Sequence, residues 1–499
     1  MGREPSGSSS SKAVFVFPSA AGHVNPSLPL ARGLVARGWA VDYLATAQFR
    51  EAVEGTGAAL CDRDVVCGER GIEDVTAMVL ATAAEYSDPP PQWWLNFGSI
   101  SSATLLPVYA DWLRSRNAQL VVYCPVLCQV ARFAALQLQI PAVSLLTAAG
   151  PGYFDAAIAS MAGAAAVRDT AAGLVTAVRQ NAQNAKAVES IRSHLGMPEL
   201  TLNTAEPLCF DHYAETNLVT TTEELADPMC AADVEHYRSA GKSFLFVGPL
   251  LDLAGARRSQ PVAHAEQEHR EHEEEVMRRV KAAVANSRPL VYVSMGTVVT
   301  SDNAEHGWSA TSGSGLTGQQ LCQAVYRAVF EELGSAEESS AQCEHPAPLI
   351  VVSLGPQPRA LEGVTVPPNA VCAPSVPQVD LLRHGKPALF VTNGGQNSLM
   401  ESMGVGTPLL VCPGFGDQVS NAAKVVARGW GAKVDRPPAD GDAVADASAY
   451  QAKVRSGVRE VFGNESFNTQ AKAIAAGLER AAGLDGALLV LTEIVASSH

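Results

Sequence analysis

No window of the 499-residue chain approaches the ~18 apolar residues that a membrane-spanning helix needs. Even ALLVLTEIVA near the C-terminus is broken by Glu493, and it reads as a packed terminal helix over residues 481–499. The N-terminal MGREPSGSSSSK lacks the apolar stretch of a secretory signal, so residues 1–12 are expected to be a flexible tail. No Lys/Arg block is present, and 51 acidic against 36 basic residues leave a net charge of -15, a field that repels phosphate backbones and excludes nucleic acid as a partner. The 10 cysteines show neither paired CxxC nor Cys/His ligand spacing, which excludes a disulfide framework and a zinc site and fits free thiols in a reducing compartment. A cytoplasmic protein with no integral membrane segment is expected.

What is there is enough apolar residue, 47%, to fill two cores, and one core does not grow past ~250–300 residues. The runs AVFVF (13–17), Ala40 to Leu44, Gln119 to Tyr123 and Ala142 to Leu146 are strand-like and are separated by helix-like stretches. This βαβ grammar predicts a parallel sheet covered by helices. After VGPLL (247–251) comes a polar, charged stretch read as a linker over 253–275. Strand-like runs restart at Leu290 to Ser294 and continue through Leu409 to Cys412. The fold expected is α/β, two doubly wound Rossmann-like domains facing a cleft: an N-terminal domain over 13–252 and a C-terminal domain over 276–480. The Gly/Ser/Thr-rich 301–318 stretch is expected to be a surface loop, mobile or ordered by ligand.

The richest segment is PSVPQVDLLRHGKPALFVTNGGQNSLMESMGVGTPLLVCPGFGDQ, residues 374–418. It holds a strand, a Gly-Gly turn at 394–395 and a helix starting near Asn397. Such a helix N-terminus offers unpaired amides to a phosphate or diphosphate, and glycine lets the ligand approach closely. Gln378, Glu401, Asp417 and Gln418 fall at strand ends or on the same helix, so their side chains are expected to converge on one crevice.

This segment resembles the donor-binding signature of family 1 UDP-glycosyltransferases, position for position from Ser375 to Gln418. The resemblance implies a GT-B fold, a UDP-sugar as co-substrate and no cofactor. It places Gln378 at the nucleoside, Asn397 and Ser398 at the phosphates, Glu401 at the ribose, and Asp417 with Gln418 at the transferred sugar. Ser294-Met295-Gly296-Thr297 resembles the loop in which a Gly and a Ser or Thr approach the diphosphate, so Gly296, Thr297 and Gly395 join the donor site. AAGHVNPSLPLARGLVARG resembles the family's first loop and helix, in which the His, here His23, is the general base for an acceptor hydroxyl. A neutral imidazole suits that task.

The sequence departs from the family at several of these positions. The Asp that orients the catalytic His aligns with Cys124, and a thiol does not hold an imidazolium as a carboxylate does. Asp155 and Asp111 are the acids available nearby in sequence. The base-stacking Trp is Ser375, the phosphate-contacting His is Asn393, and a further Trp is Gln396. Trp93, Trp94 and Phe97 are candidates for the acceptor pocket. The His/Glu-rich run near residue 270 reads as a solvated helix face, and no metal is predicted.

The leading expectation is an inverting, metal-independent hexosyltransferase moving a sugar, glucose by resemblance, from a UDP-sugar to a hydroxyl of a small apolar acceptor. The substitutions motivate two rivals: donor-independent acid-base chemistry (isomerisation, elimination or cyclisation) on the same scaffold, or a non-catalytic binding protein.

Overall fold

The computed structural model describes residues 11–497, apart from most of 73–89, scattered positions in 164–181, and 196–211, 253–265, 304–305, 312–314, 336–346 and 439–442. The chain divides into two compact units, Met1–Ser259 with Ala482–His499, and Gln260–Ala481.

The first unit is built on seven strands: β1 (Lys12–Val16), β2 (Ala40–Ala45), β3 (Ala59–Asp62), β4 (Leu120–Tyr123), β5 (Ala142–Leu146), β6 (Thr216–Val219) and β7 (Ser243–Phe246). Their order is β3-β2-β1-β4-β5-β6-β7 and every pairing is parallel. Central strands buried on both faces are apolar throughout, as in LVVY of β4. Strand order reverses between β1 and β4, and the loops that leave those two strands part there.

The second unit repeats the plan with β8 (Leu290–Ser294), β9 (Leu349–Ser353), β10 (Ala370–Ala373), β11 (Leu389–Thr392), β12 (Leu409–Val411) and β13 (Gly431–Lys433). The order is β10-β9-β8-β11-β12-β13, again all parallel, with the reversal between β8 and β11. Two doubly wound α/β units are thus the architecture read from the sequence. Among the described residues no helix is long and apolar enough to cross a membrane.

Two expectations are corrected. The predicted linker at 253–275 gives way at Glu266 to a helix, Glu266–Ala285. Its Glu-rich start favours helix, and Val276, Val280 and Ala283, all nearly fully buried, anchor its far end. The 301–318 stretch is irregular up to Thr317 where it is described, as expected of a loop, but it does not lie wholly on the surface. Leu316 is fully buried, Trp308 belongs to the second core, and Thr317 caps the Gly318–Leu333 helix through a capping box with Gln320. Composition pointed to a loop, but two apolar anchors in eighteen residues are enough to dock it.

The terminal helix, Gly483–Ser497, returns to the first unit, where Ala487, Leu488, Leu491 and Val495 join the core. Gly33 leaves the space that Leu488 fills, and a Cβ there would strike it. Leu488→Ala should therefore cost about 2–5 kcal/mol in chemical denaturation of the first domain. A loss below ~0.5 kcal/mol, the range of surface changes, would show that the helix is not part of this core.

Candidate functional site

In the first domain, three side chains from three strand ends meet at the switch point. His23 lies in the short Ala21–Val24 helix after β1, Cys124 is the first residue past β4, and Thr147 is the first past β5. Cys124 N–H donates to Val16 C=O, which holds the β4 end against β1. His23 Nδ1 lies 3.0 Å from Thr147 Oγ1 and 3.3 Å from Cys124 Sγ. Thr147 is 5% exposed and Cys124 is fully buried, while His23 keeps part of its surface open.

Burial lowers the His23 pKa to about 4, and no carboxylate offsets it, so the ring is neutral at pH 7. Burial also pushes the Cys124 thiol up to about 12 against the opposing pull of the Leu127 and Val126 amides that bond it. The pair is therefore imidazole and thiol, not imidazolium and thiolate. Neither acid noted in the sequence substitutes for the missing carboxylate. Asp111 pairs with Arg70 and Arg114. Asp155 lies with Cys230 and Asp233, the three ligand atoms within 4.8 Å of one another, and burial followed by the Asp233 charge raises its pKa. Thr147 is what the sequence reading missed. Its signal was position, since it is the first residue past β5, the strand next to β4 at the switch point, and loops at that edge face the ligand crevice.

Trp93, Trp94 and Phe97 fall in the Pro90–Arg116 helix, but their side chains lie outside the described residues.

In the second domain, the positions carrying the donor signature gather at the carboxyl ends of β8, β10, β11 and β12. Gly296, at φ +82°, abuts Asn393 so closely that a Cβ would lie 2.5 Å from its amide nitrogen. This contact spans the β8/β11 reversal. Asn393 Oδ1 accepts from Gly395 N–H, and Gly394 takes φ +82° to turn the chain into the Gln396–Met403 helix. Asn421 Nδ2 donates to Gly394 C=O and fixes that turn from the next helix. Thr297 is exposed beside it.

Gln378, Ser398 and Glu401 converge as the spacing implied. Gln378 Nε2 donates to Ser398 Oγ at 3.1 Å and to Glu401 Oε2 at 2.8 Å, and Tyr292 Oη donates to Gln378 Oε1 at 2.9 Å. Gln378 is 3% and Glu401 5% exposed, so both are positioned before any ligand binds. Gln396, at the start of the same helix, buries an amide whose nitrogen and oxygen both lack partners, a state that costs about 1–3 kcal/mol per group. Asp417 opens the Asp417–Ala427 helix, and Gln418 Oε1 accepts from Gly414 N–H at 2.9 Å. Asn397 stands in the first turn of the preceding helix, half-buried. His306, from the 301–318 stretch, stacks on Phe415 in the loop before Asp417, with ring centroids 4.0 Å apart. Ser375 donates to Glu273 Oε1 at 3.0 Å, so this position anchors the Glu266–Ala285 helix where the family has a stacking ring.

Residues 338–447 match the family described as UDP-glucoronosyl and UDP-glucosyl transferase. A segment of 134 residues is 31% identical to the uncharacterized UDP-glucosyltransferase YojK of Bacillus subtilis (strain 168), covering 27% of this chain and 30% of that protein. A segment of 59 residues is 48% identical to UDP-glucuronosyltransferase 3A2 of Homo sapiens, covering 12% of this chain and 11% of the other. The matches to these curated relatives thus span less than a third of their length. Solved structures extend the fold to nearly the whole chain. The glycotransferase of kitacinnamycin superposes with a TM-score of 0.63 at 20% identity over 97% of this chain and 99% of its own. The calicheamicin glycosyltransferase CalG4 gives 0.60 at 17% identity over 98% and 100%.

The fold class is thereby defined: the chain has the GT-B fold, with two parallel α/β units. Within it, residues 338–447 match the UDP-glycosyltransferase family, and the resemblance read from residues 375–418 stands.

The His23 environment makes a direct prediction. A carboxylate within hydrogen-bonding distance favours the charged ring, so Cys124→Asp should raise the His23 pKa by about 1–3 pH units, followed by NMR titration. An unmoved ring would show that position 124 is not coupled to Nδ1.

Proposed function

We propose that the protein is an inverting, metal-independent glycosyltransferase that moves a sugar from a UDP-sugar to a hydroxyl of a small apolar acceptor. The observation that carries this reading is the Gln378–Ser398–Glu401 cluster beside the Gly394-Gly395 turn, a buried polar set already in place around a helix N-terminus. Buried polar groups cost free energy, and a fold-only role would be served more cheaply by apolar side chains. The amides at the start of the Gln396–Met403 helix, Thr297, Asn393 and the unpartnered Gln396 amide supply neutral donors for a diphosphate. Asn397 and Ser398 flank the same phosphates, and Glu401 accepts from ribose hydroxyls.

Asp417 and Gln418 suit the hydroxyls of the transferred sugar, with glucose the first candidate because YojK is described as a UDP-glucosyltransferase. Gly296 lets the Asn393 side chain pack against it, and Gly395 keeps the approach to the diphosphate open. Leaving-group charge is then stabilised by oriented dipoles, with no metal needed in the step. His23, neutral at pH 7, takes the acceptor proton on Nε2 as the acceptor oxygen attacks the anomeric carbon and UDP departs. Direct attack by the acceptor inverts the anomeric configuration. The eight free cysteines among the described residues support work in a reducing, cytoplasmic compartment.

Donor-independent chemistry keeps one observation in its favour: Ser375 is tied to Glu273 and offers no face to a nucleobase. The two readings separate in one assay. Transfer predicts UDP release that depends on acceptor and falls by about 10²–10⁴-fold in His23→Ala, the usual range for a general base. Turnover of a small metabolite with no UDP-sugar present would contradict transfer and support the rival, while saturable binding with no turnover would leave a binding protein.

A further inference from the structure

The group at the back of His23 determines what kind of acceptor oxygen the ring can serve. A carboxylate at Nδ1 only accepts hydrogen bonds, so it forces the proton onto Nδ1, leaves the Nε2 lone pair outward and stabilises the imidazolium that forms. Here Nδ1 meets a hydroxyl, Thr147 Oγ1 at 3.0 Å, and a thiol, Cys124 Sγ at 3.3 Å. Both groups can donate as well as accept. When either donates to Nδ1, the ring proton sits on Nε2 and the outward nitrogen cannot take another. When Nδ1–H donates to Thr147, the ring is a base with a neutral partner and no compensation for its developing charge. Among the described residues the titratable neighbours of this cluster add none, since Cys124, Cys128 and Tyr43 are all pushed up by burial and stay neutral. Asp111 and Asp155 are engaged elsewhere.

We propose that the acceptors served by this site are acidic hydroxyls, phenols above all and not aliphatic alcohols, because Thr147 and Cys124 give His23 a neutral, ambivalent partner in place of an acid. The inference rests on the glycosyl-transfer reading and narrows its acceptor class. In the step, the phenol oxygen forms a bond to the anomeric carbon. The bond from that carbon to the diphosphate oxygen breaks, and its electron pair leaves with UDP. The phenol proton goes to His23 Nε2, or to water before binding when the phenol is already ionised. A phenol ionises near pH ~10 and lower when electron-poor, so little base strength is needed, whereas an aliphatic alcohol needs a base that this ring is not.

The test uses the full chain with UDP-glucose and two readouts. The first is kcat/KM at fixed pH for phenols graded in acidity and for one aliphatic alcohol of matched size. The expected result is a rise of roughly tenfold per unit of acceptor acidity until the phenol is ionised, with the alcohol at least about a hundredfold below the most acidic phenol. Cys124→Asp should narrow that gap by about tenfold or more by lifting the alcohol rate. The second readout, independent of turnover, is the 15N NMR titration of His23, with a midpoint expected below ~5 and a larger population of the Nε2–H tautomer than in Cys124→Asp.

Alcohol and phenol rates within tenfold of each other would overturn the inference and leave glycosyl transfer intact. A wild-type His23 midpoint above ~6 would overturn it whatever the rates. No transfer to any acceptor would overturn the glycosyl-transfer reading and this inference with it.

Discussion

A parallel sheet delivers all its strand ends to one edge, and where strand order reverses the connections leave in opposite directions and cannot pack over one another. Both domains of this protein are organised by that constraint. In the first, the reversal between β1 and β4 puts His23 and Cys124 side by side, with Thr147 added from β5. In the second, the reversal between β8 and β11 brings Gly296 against Asn393 and leaves the Gly394-Gly395 turn to start a helix. The candidate site residues lie at, or on the loops and helices that follow, the ends of apolar strands, so the cores and the sites are set by neighbouring runs of sequence.

The electrostatics of the two sites differ from what a net charge of -15 suggests for an anionic ligand. The residues proposed for the donor phosphates include no Lys or Arg; in that reading attraction comes from oriented amides and neutral side chains, which act at short range. The acceptor-side imidazole is likewise set by its surroundings. Burial holds it neutral, and the hydroxyl and thiol behind it leave it a weak base. The chain thus keeps a positioned nitrogen while giving up the charge that normally strengthens it.

Much of this was legible in the sequence because it depends on local pattern. Period and punctuation mark strands and helices, and the spacing from Gln378 to Glu401 fixes two strand ends and one helix face, which the structure brings within hydrogen-bonding distance. Three things were not legible. Thr147 is separated from His23 by 124 residues and carries no motif, so only the strand order reveals that they meet. That residues 266–275 begin a longer helix and not a linker depends on Val276, Val280 and Ala283 beyond them, whose burial seats that helix. The 301–318 stretch is docked by Trp308 and Leu316, whose partners lie in distant elements that composition cannot foresee.

The proposed function requires the second domain to bind a nucleotide sugar through groups already in place. The most direct measurement is calorimetric titration of UDP and UDP-glucose into the purified protein and into its Glu401→Ala variant. The expected result is a dissociation constant on the order of micromolar to tens of micromolar, within the usual enzyme range, and a loss of roughly tenfold or more in the variant, equivalent to at least ~1.4 kcal/mol. No heat of binding at millimolar nucleotide, or equal affinity in the variant, would contradict it.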